Sequence, residues 1–196
     1  EVGAVNETCV YDISFLPQDD DTPVKAEITG TLTTTLTRET YNDTPCYKFT
    51  AKVNTTGKYI SGQNEYPVED EMSSECYFLG MSDKLFPLAS SKTVNGLTPQ
   101  KTGDVLTLSV DTSAASKEIS LSDYTLDGVT QGTEQSPKKI TCDNVQIAIN
   151  DTFSGNPLLL SYASDNANRK RLIEMTTYLP YLAGKLNYRL KSVTTK

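Results

Sequence analysis

The sequence predicts a mainly β protein, a single curved antiparallel sheet or half-barrel with one short helix, and three observations carry that expectation. From Val24 to Thr37, Val24, Ala26, Ile28, Leu32 and Leu36 fall on alternate positions, while Lys25, Glu27, Thr29, Thr31, Thr33, Thr35 and Thr37 stand between them. Such a period of two gives a strand one dry side and one wet side. At least four further segments alternate in the same way, whereas only one shows helical spacing. The composition agrees: apolar residues make up 37% of the 196 residues, and the abundant threonine suits sheets with a solvated face.

The elements follow in order. Val10 to Leu16 reads as a first strand with Tyr11, Ile13 and Phe15 on one row, ended by Pro17 and the acidic turn Asp19-Asp20-Asp21. The long second strand would span roughly 45 Å at about 3.3 Å per residue, so it must curve, and Gly30 on its inward row is the place to bend. Asn42-Asp43 and Pro45 mark a turn, after which Tyr47, Phe49, Ala51 and Val53 alternate with Lys48, Thr50 and Lys52, giving a hairpin partner. Asn54 to Gly57 reads as the next turn, and Lys58 to Ile60 as a short strand. Pro67, with Glu69, Asp70 and Glu71 behind it, begins an expected helix over 67–79, in which Val68, Met72, Cys76 and Leu79 have helical spacing and Gly80 is the stop. A strand over Cys76 to Leu79 is the competing reading.

Phe86 to Gln100 reads as loop with one extended piece. Alternation returns in Asp104 to Asp111 and continues through Ile119 and Leu121. Asp127 to Pro137 is polar and turn-rich. Ile140, Cys142, Val145, Ile147 and Ile149 make another strand, whose phase breaks near Asp143-Asn144 and calls for a bulge. Leu158 to Ala163, apolar on both faces, belongs in the middle of a sheet. Arg171 to Tyr178 and Lys185 to Val193 form a closing hairpin with Leu186, Tyr188 and Leu190 on one side. The length suits one domain covering 1–196, and no fixed-period repeat or heptad pattern appears.

Several chemistries are excluded or weakened. With no histidine, Ser-His-Asp and Cys-His catalysis and imidazole metal sites are impossible in this chain. No G-x-S-x-G, Walker A or dinucleotide fingerprint occurs, so no enzyme, cofactor or metal site is expected. Asp19-Asp20-Asp21 lacks the spaced ligands of a calcium loop, and a hydrated turn is the commoner fate of such a run. The net charge of -7 disfavours nucleic acid and anionic membranes. Arg169-Lys170-Arg171, with Lys185, Arg189 and Lys191 on the same hairpin, could meet an anionic headgroup, but such rows are more often the solvated face of a sheet. Tyr178, Tyr181 and Tyr188 could line a pocket or interface, and tyrosine also simply favours strands.

Cys9, Cys46, Cys76 and Cys142 lack metal-ligand spacing, which leaves disulfides as the preferred expectation, Cys9 with Cys46 and Cys76 with Cys142 among three possible pairings. Two bridges imply a compartment outside the cytoplasm. No stretch of 18 apolar residues occurs, and the opening Glu-Val-Gly-Ala-Val suggests a mature, processed chain. Asn-x-Thr triplets at Asn6, Asn42, Asn54 and Asn150 permit a eukaryotic secretory alternative, although chance alone supplies about two or three in so Thr-rich a chain.

A very long second strand, a mid-chain helical interruption and the closing Arg171-Leu172-Ile173-Glu174-Met175 and Gly184-Lys185-Leu186-Asn187-Tyr188-Arg189-Leu190 segments together resemble bacterial extracytoplasmic proteins of the lipoprotein-carrier type. The resemblance implies an open, curved half-barrel that holds acyl chains or other apolar ligands, and it assigns no residue a role. The residues expected to line the concave face are Ile28, Leu32, Leu36, Phe49, Met72, Leu186, Tyr188 and Leu190. The expected function is therefore non-enzymatic extracytoplasmic binding of a lipid-like ligand, entering between the helix and the closing hairpin. The alternative is a surface or adhesion module that binds another protein.

Overall fold

A computed structural model describes residues 6–18, 24–81, 84–97, 108–149, 158–164, 170–179 and 184–196. Thirteen strands account for nearly all of them: β1 (Glu7–Pro17), β2 (Val24–Tyr41), β3 (Thr44–Ser61), β4 (Asn64–Met81), β5 (Lys84–Val94), β6 (Leu108–Asp111), β7 (Lys117–Leu121), β8 (Tyr124–Leu126), β9 (Val129–Gln131), β10 (Lys138–Ile149), β11 (Leu158–Ser164), β12 (Lys170–Leu179) and β13 (Gly184–Thr195). They form one open sheet in the order β5-β4-β3-β2-β1-β13-β12-β11-β10-β6. All of these neighbours are antiparallel; the short parallel contact of β8 with β13 lies off this path.

The first five strands are a meander of long hairpins. The β2–β3 turn is made by Asn42 and Asp43, both at positive φ (46° and 60°), as a two-residue hairpin turn that matches strand twist requires. Pairing of β1 with β13 then joins the two ends of the chain in the middle of the sheet. Bulges fall between Val10 and Tyr11 relative to β13, and between Ser161 and Tyr162 relative to β12. At the expected phase break β10 changes partners: Lys138 to Cys142 pair with β7, and Gln146 to Ile149 with β6.

The sheet splits beyond Arg189. Its register with β12 ends at Glu174, and farther along β13 the positions beside Ser192 and Val193 are taken by Thr125 and Leu126 of β8. The freed start of β12 reaches back to β1, so that the Tyr11 hydroxyl donates to the Leu172 carbonyl at 2.8 Å although β13 lies between the two strands. Arg171 likewise grips Glu7, with Nε to Oε1 at 3.0 Å and Nη2 to Oε2 at 2.7 Å. Into this split region the chain packs its core: Cys9, Tyr11, Ile13, Ile28, Leu32, Leu186, Tyr188, Leu190 and Val193 cluster with Ile119, Leu121, Tyr124, Cys142 and Ile173.

The sequence expectations differ from this structure at four places. No helix stands at 67–79; the segment belongs to the 18-residue strand β4. Val68, Met72 and Cys76 are four apart, a spacing that fits a helix face and also one side of a strand, and they stand opposite Gly57, Val53 and Phe49 of β3. Pro67 is tolerated because the register of β5 with β4 begins only at Met72, leaving the β4 edge beside Pro67 without a ladder partner among the described residues. Asn54 to Gly57 is not a turn but the interior of β3. Gly57, at φ 141°, allows the Glu27 backbone to approach where a Cβ would collide. The supposed loop after Phe86 is largely β5, and the polar stretch after Asp127 contains β9.

The cysteines are the fourth. All four are free thiols, so the expected bridges are not formed. Cys9 is opposite Thr34, which is opposite Ala51, roughly 17 Å along β3 from Cys46; a disulfide needs Cα atoms within about 7 Å. Cys142 (fully buried) and Cys9 (5% exposed) serve the core as small apolar side chains. Asp19-Asp20-Asp21, Arg169, Tyr181, the Asn150 triplet and the start of the Asp104 to Asp111 strand lie outside the described residues.

Candidate functional site

Residues directly opposite one another on neighbouring strands share a face, so the register traces rows across the sheet. One row reads Leu190, Tyr11, Leu32, Val53, Met72, Val94 over β13, β1, β2, β3, β4 and β5. It is apolar throughout, yet its burial changes along its length. Leu190, Tyr11 and Leu32 are 2–4% exposed, whereas Val53, Met72 and Val94 are only half-buried. A parallel row runs from Leu36 to Phe49 and Cys76, with Phe49 40% exposed. Ala51, between the two rows on β3, also packs against the core.

Of the eight residues expected to line a ligand groove, Ile28, Leu32, Leu186, Tyr188 and Leu190 are therefore buried in the protein's own core, where Ile119, Leu121 and Tyr124 join them. Leu36, Phe49 and Met72 lie together on the outlying wing β2–β4 and keep an open side. Entry between a helix and the closing hairpin is ruled out by the topology. Glu71 stands on β4 and Arg189 on β13, with β3, β2 and β1 between them.

The opposite side of the sheet is polar. Asn144, Ser161, Glu174, Arg189, Asp12, Thr31, Asn54 and Glu71 form one row over eight strands. Ser161 donates to Asn144 Oδ1 at 2.7 Å, and Glu174 receives Lys117 at 2.8 Å and Arg189 at 2.7 and 3.0 Å. Burial pushes the Glu174 carboxyl up, but the hydrogen bonds from Lys117 and Arg189 outweigh it and hold the group below the ordinary glutamate range. On the wing, Lys48 meets Glu75 at 3.4 Å, Lys52 meets Glu71 at 3.8 Å and Lys58 meets Glu65 at 2.9 Å, pairs so open to water that they add little to stability. Of the acids at the start of the expected helix, Glu71 has Lys52 as its partner, and Asp70 accepts from the Asn95 amide at 2.9 Å. The basic run near 170 is likewise spent internally, Lys170 on Asp143 and Arg171 on Glu7.

Two of the four thiols are quiet. Burial, reinforced by the Glu7 charge and the hydrogen bond to Glu7, pushes the Cys9 thiol up to about 12, and burial pushes Cys142 up to about 11. Tyr11 is raised as well, chiefly by burial. Among the described residues no group of three or more His, Cys, Asp or Glu side chains is placed to hold a metal ion, and no helix is long and apolar enough to cross a membrane.

The fold defines a β-barrel-like, open-sheet protein. The chain is similar to the crystal structure of a β-barrel-like protein of the domain of unknown function DUF1849 from Brucella abortus, with a TM-score of 0.51 and 12% identity over 100% of both chains. No protein-family model and no curated protein matches the chain. At that identity the likeness concerns the β-rich architecture alone.

Proposed function

We propose that this protein is a non-enzymatic, extracytoplasmic binder of an apolar or lipid-like ligand, of the lipoprotein-carrier type, and that the ligand lies on the wing β2–β5 rather than in the middle of the concave face. The observation that carries this is the uninterrupted apolar row whose buried half ends at Leu32 and whose continuation, Val53, Met72 and Val94, keeps a solvent-facing side. Phe49 and Leu36 widen that strip. An acyl chain laid there removes apolar area from water at about 25 cal/mol per Å². The absence of histidine and the raised thiols of Cys9 and Cys142 support a binding rather than a catalytic role. The raised thiols of Cys9 and Cys142 are slow to oxidise, so their reduced state is compatible with a location outside the cytoplasm.

Titration with a fluorescent fatty acid tests the reading. Saturable binding is expected, weakened about tenfold or more by Phe49→Asp or Met72→Lys. Equal binding by wild type and both variants contradicts it.

A second reading, a protein-interaction module, is favoured by Met81, Leu85 and Phe86, each about 60% exposed where β4 turns into the edge strand β5. Edge strands can accept an added strand from a partner. A partner whose capture is lost with Leu85→Lys but unaffected by Phe49→Asp would establish that reading over the first.

A further inference from the structure

Where the sheet splits, a cleft of about 410 Å³ opens between the polar side of β1 and β13 and the end of β7, within the roughly 300–1,000 Å³ typical of small-molecule sites. Asp12 and Lys191 both line it, and neither has an ion-pair partner among the described residues. Asp12 stands directly opposite Arg189, but that guanidinium is turned to Glu174, which leaves the Asp12 carboxylate open to the cleft. Lys191 is the extra residue of the β13 bulge, between Leu190 opposite Tyr11 and Ser192 opposite Val10. Bulges of this kind re-aim side chains. Ser14 and Asn187, opposite each other two pairs along, add a hydroxyl and an amide, and Leu16, 40% exposed, adds an apolar wall.

We propose that this cleft binds a small zwitterion with an apolar side chain, of the class of a short hydrophobic peptide with free ends. The pairing of charges carries the assignment. Glu174 offsets only one of Lys117 and Arg189, so the cleft lining carries one anion, Asp12, beside two cations, Lys191 and Arg189, together with hydrogen-bonding groups and leucine. The ligand ammonium meets Asp12, its carboxylate meets Lys191 and the N–H groups Arg189 does not spend on Glu174, Ser14 and Asn187 hydrogen-bond the peptide group, and the side chain lies against Leu16. A plain anion would leave Asp12 facing negative charge, and a plain cation would leave Lys191 facing positive charge. Asp12, Ser14, Asn187 and Arg189 stand on the other side of the sheet from the apolar wing, and the site does not depend on the wing.

Calorimetric titration of the full chain with leucyl-leucine tests the assignment, alongside its N-acetylated and its C-amidated forms. Saturable binding of the free dipeptide is expected, with about tenfold weakening when either end is blocked. In Asp12→Asn the free and N-acetylated dipeptides should bind equally, and in Lys191→Met the free and amidated forms should. Phe49→Asp should leave all of these titrations unchanged. Circular dichroism confirms that the exposed-site variants fold. Absence of saturable binding to the wild-type protein, undiminished preference for a free amino terminus in Asp12→Asn, or equally tight binding of glucuronate, which has no ammonium, would overturn the proposal.

Discussion

Arg189 stands opposite an acid on each neighbouring strand, Asp12 on β1 and Glu174 on β12, and it closes on Glu174 with both Nε and Nη2. Burial decides the choice. Glu174 is 6% exposed, so leaving it without cations would strand a charge away from water, whereas Asp12 is solvated. Lys117, reaching over from β7, is a second cation on the same carboxylate and ties the β6–β7 segment to the sheet.

Glu174→Gln should therefore destabilise the protein by about 2 kcal/mol at pH 7, the scale of hydrogen bonds to charged groups. The carboxyl is held below its unfolded value of about 4.3, so its contribution is complete above that pH and is lost as pH falls through the folded value. Urea unfolding of both proteins checks this. The gap should be constant from pH 6 to 7 and close below about pH 4.

Gly30→Ala should cost about 2–3 kcal/mol. A Cβ there would run into the Asn54 carbonyl oxygen and lie 3.0 Å from both Cα and Cγ2 of Thr55, mostly backbone that cannot swing aside. Thermal unfolding measures the loss, and an unchanged midpoint would show that β2 and β3 do not approach so closely.

All four thiols should titrate in denaturant without reductant, because none is bridged. In the native protein at pH 8 only half-exposed Cys76 should react quickly, since Cys9, Cys46 and Cys142 are buried. Fewer than four thiols in denaturant would return the cysteines to disulfides.

Tyr11→Phe should cost about 1 kcal/mol, leaving the Leu172 carbonyl without its 2.8 Å donor. Because that bond joins β1 to β12 across the split, amide exchange near Leu172 should quicken more than exchange at the β2–β3 turn.

Strands with clean alternation were legible: β1, the long β2, the start of β3, and the closing β12–β13 hairpin all follow from side-chain period alone. The Asp143-Asn144 phase break also had a physical meaning, because β10 changes partners there. β4 was ambiguous because its apolar residues sit four apart, and Asn54 to Gly57 resembled a turn because asparagine and glycine serve turns and tight strand contacts alike. The placement of the expected lining residues was half legible. Ile28, Leu32, Leu186, Tyr188 and Leu190 do lie on the core side with Tyr11. Their burial depends on Ile119, Leu121 and Tyr124, whose strands are five and three residues long, too short for periodicity to reveal what they cover. The Asp12 and Lys191 cleft needed the register itself, since those residues are far apart in sequence.

The chain has three methionines, and they report on three environments: Met72 on the open wing, Met81 at the exposed end of β4, and Met175 packed against the core. Methyl NMR of methionine-labelled protein titrated with dodecanoate reads all three at once. The Met72 signal should shift progressively and saturate while Met175 stays in place. Shifts at Met175 without Met72, or no saturable shift at all, would contradict an apolar ligand site on the wing.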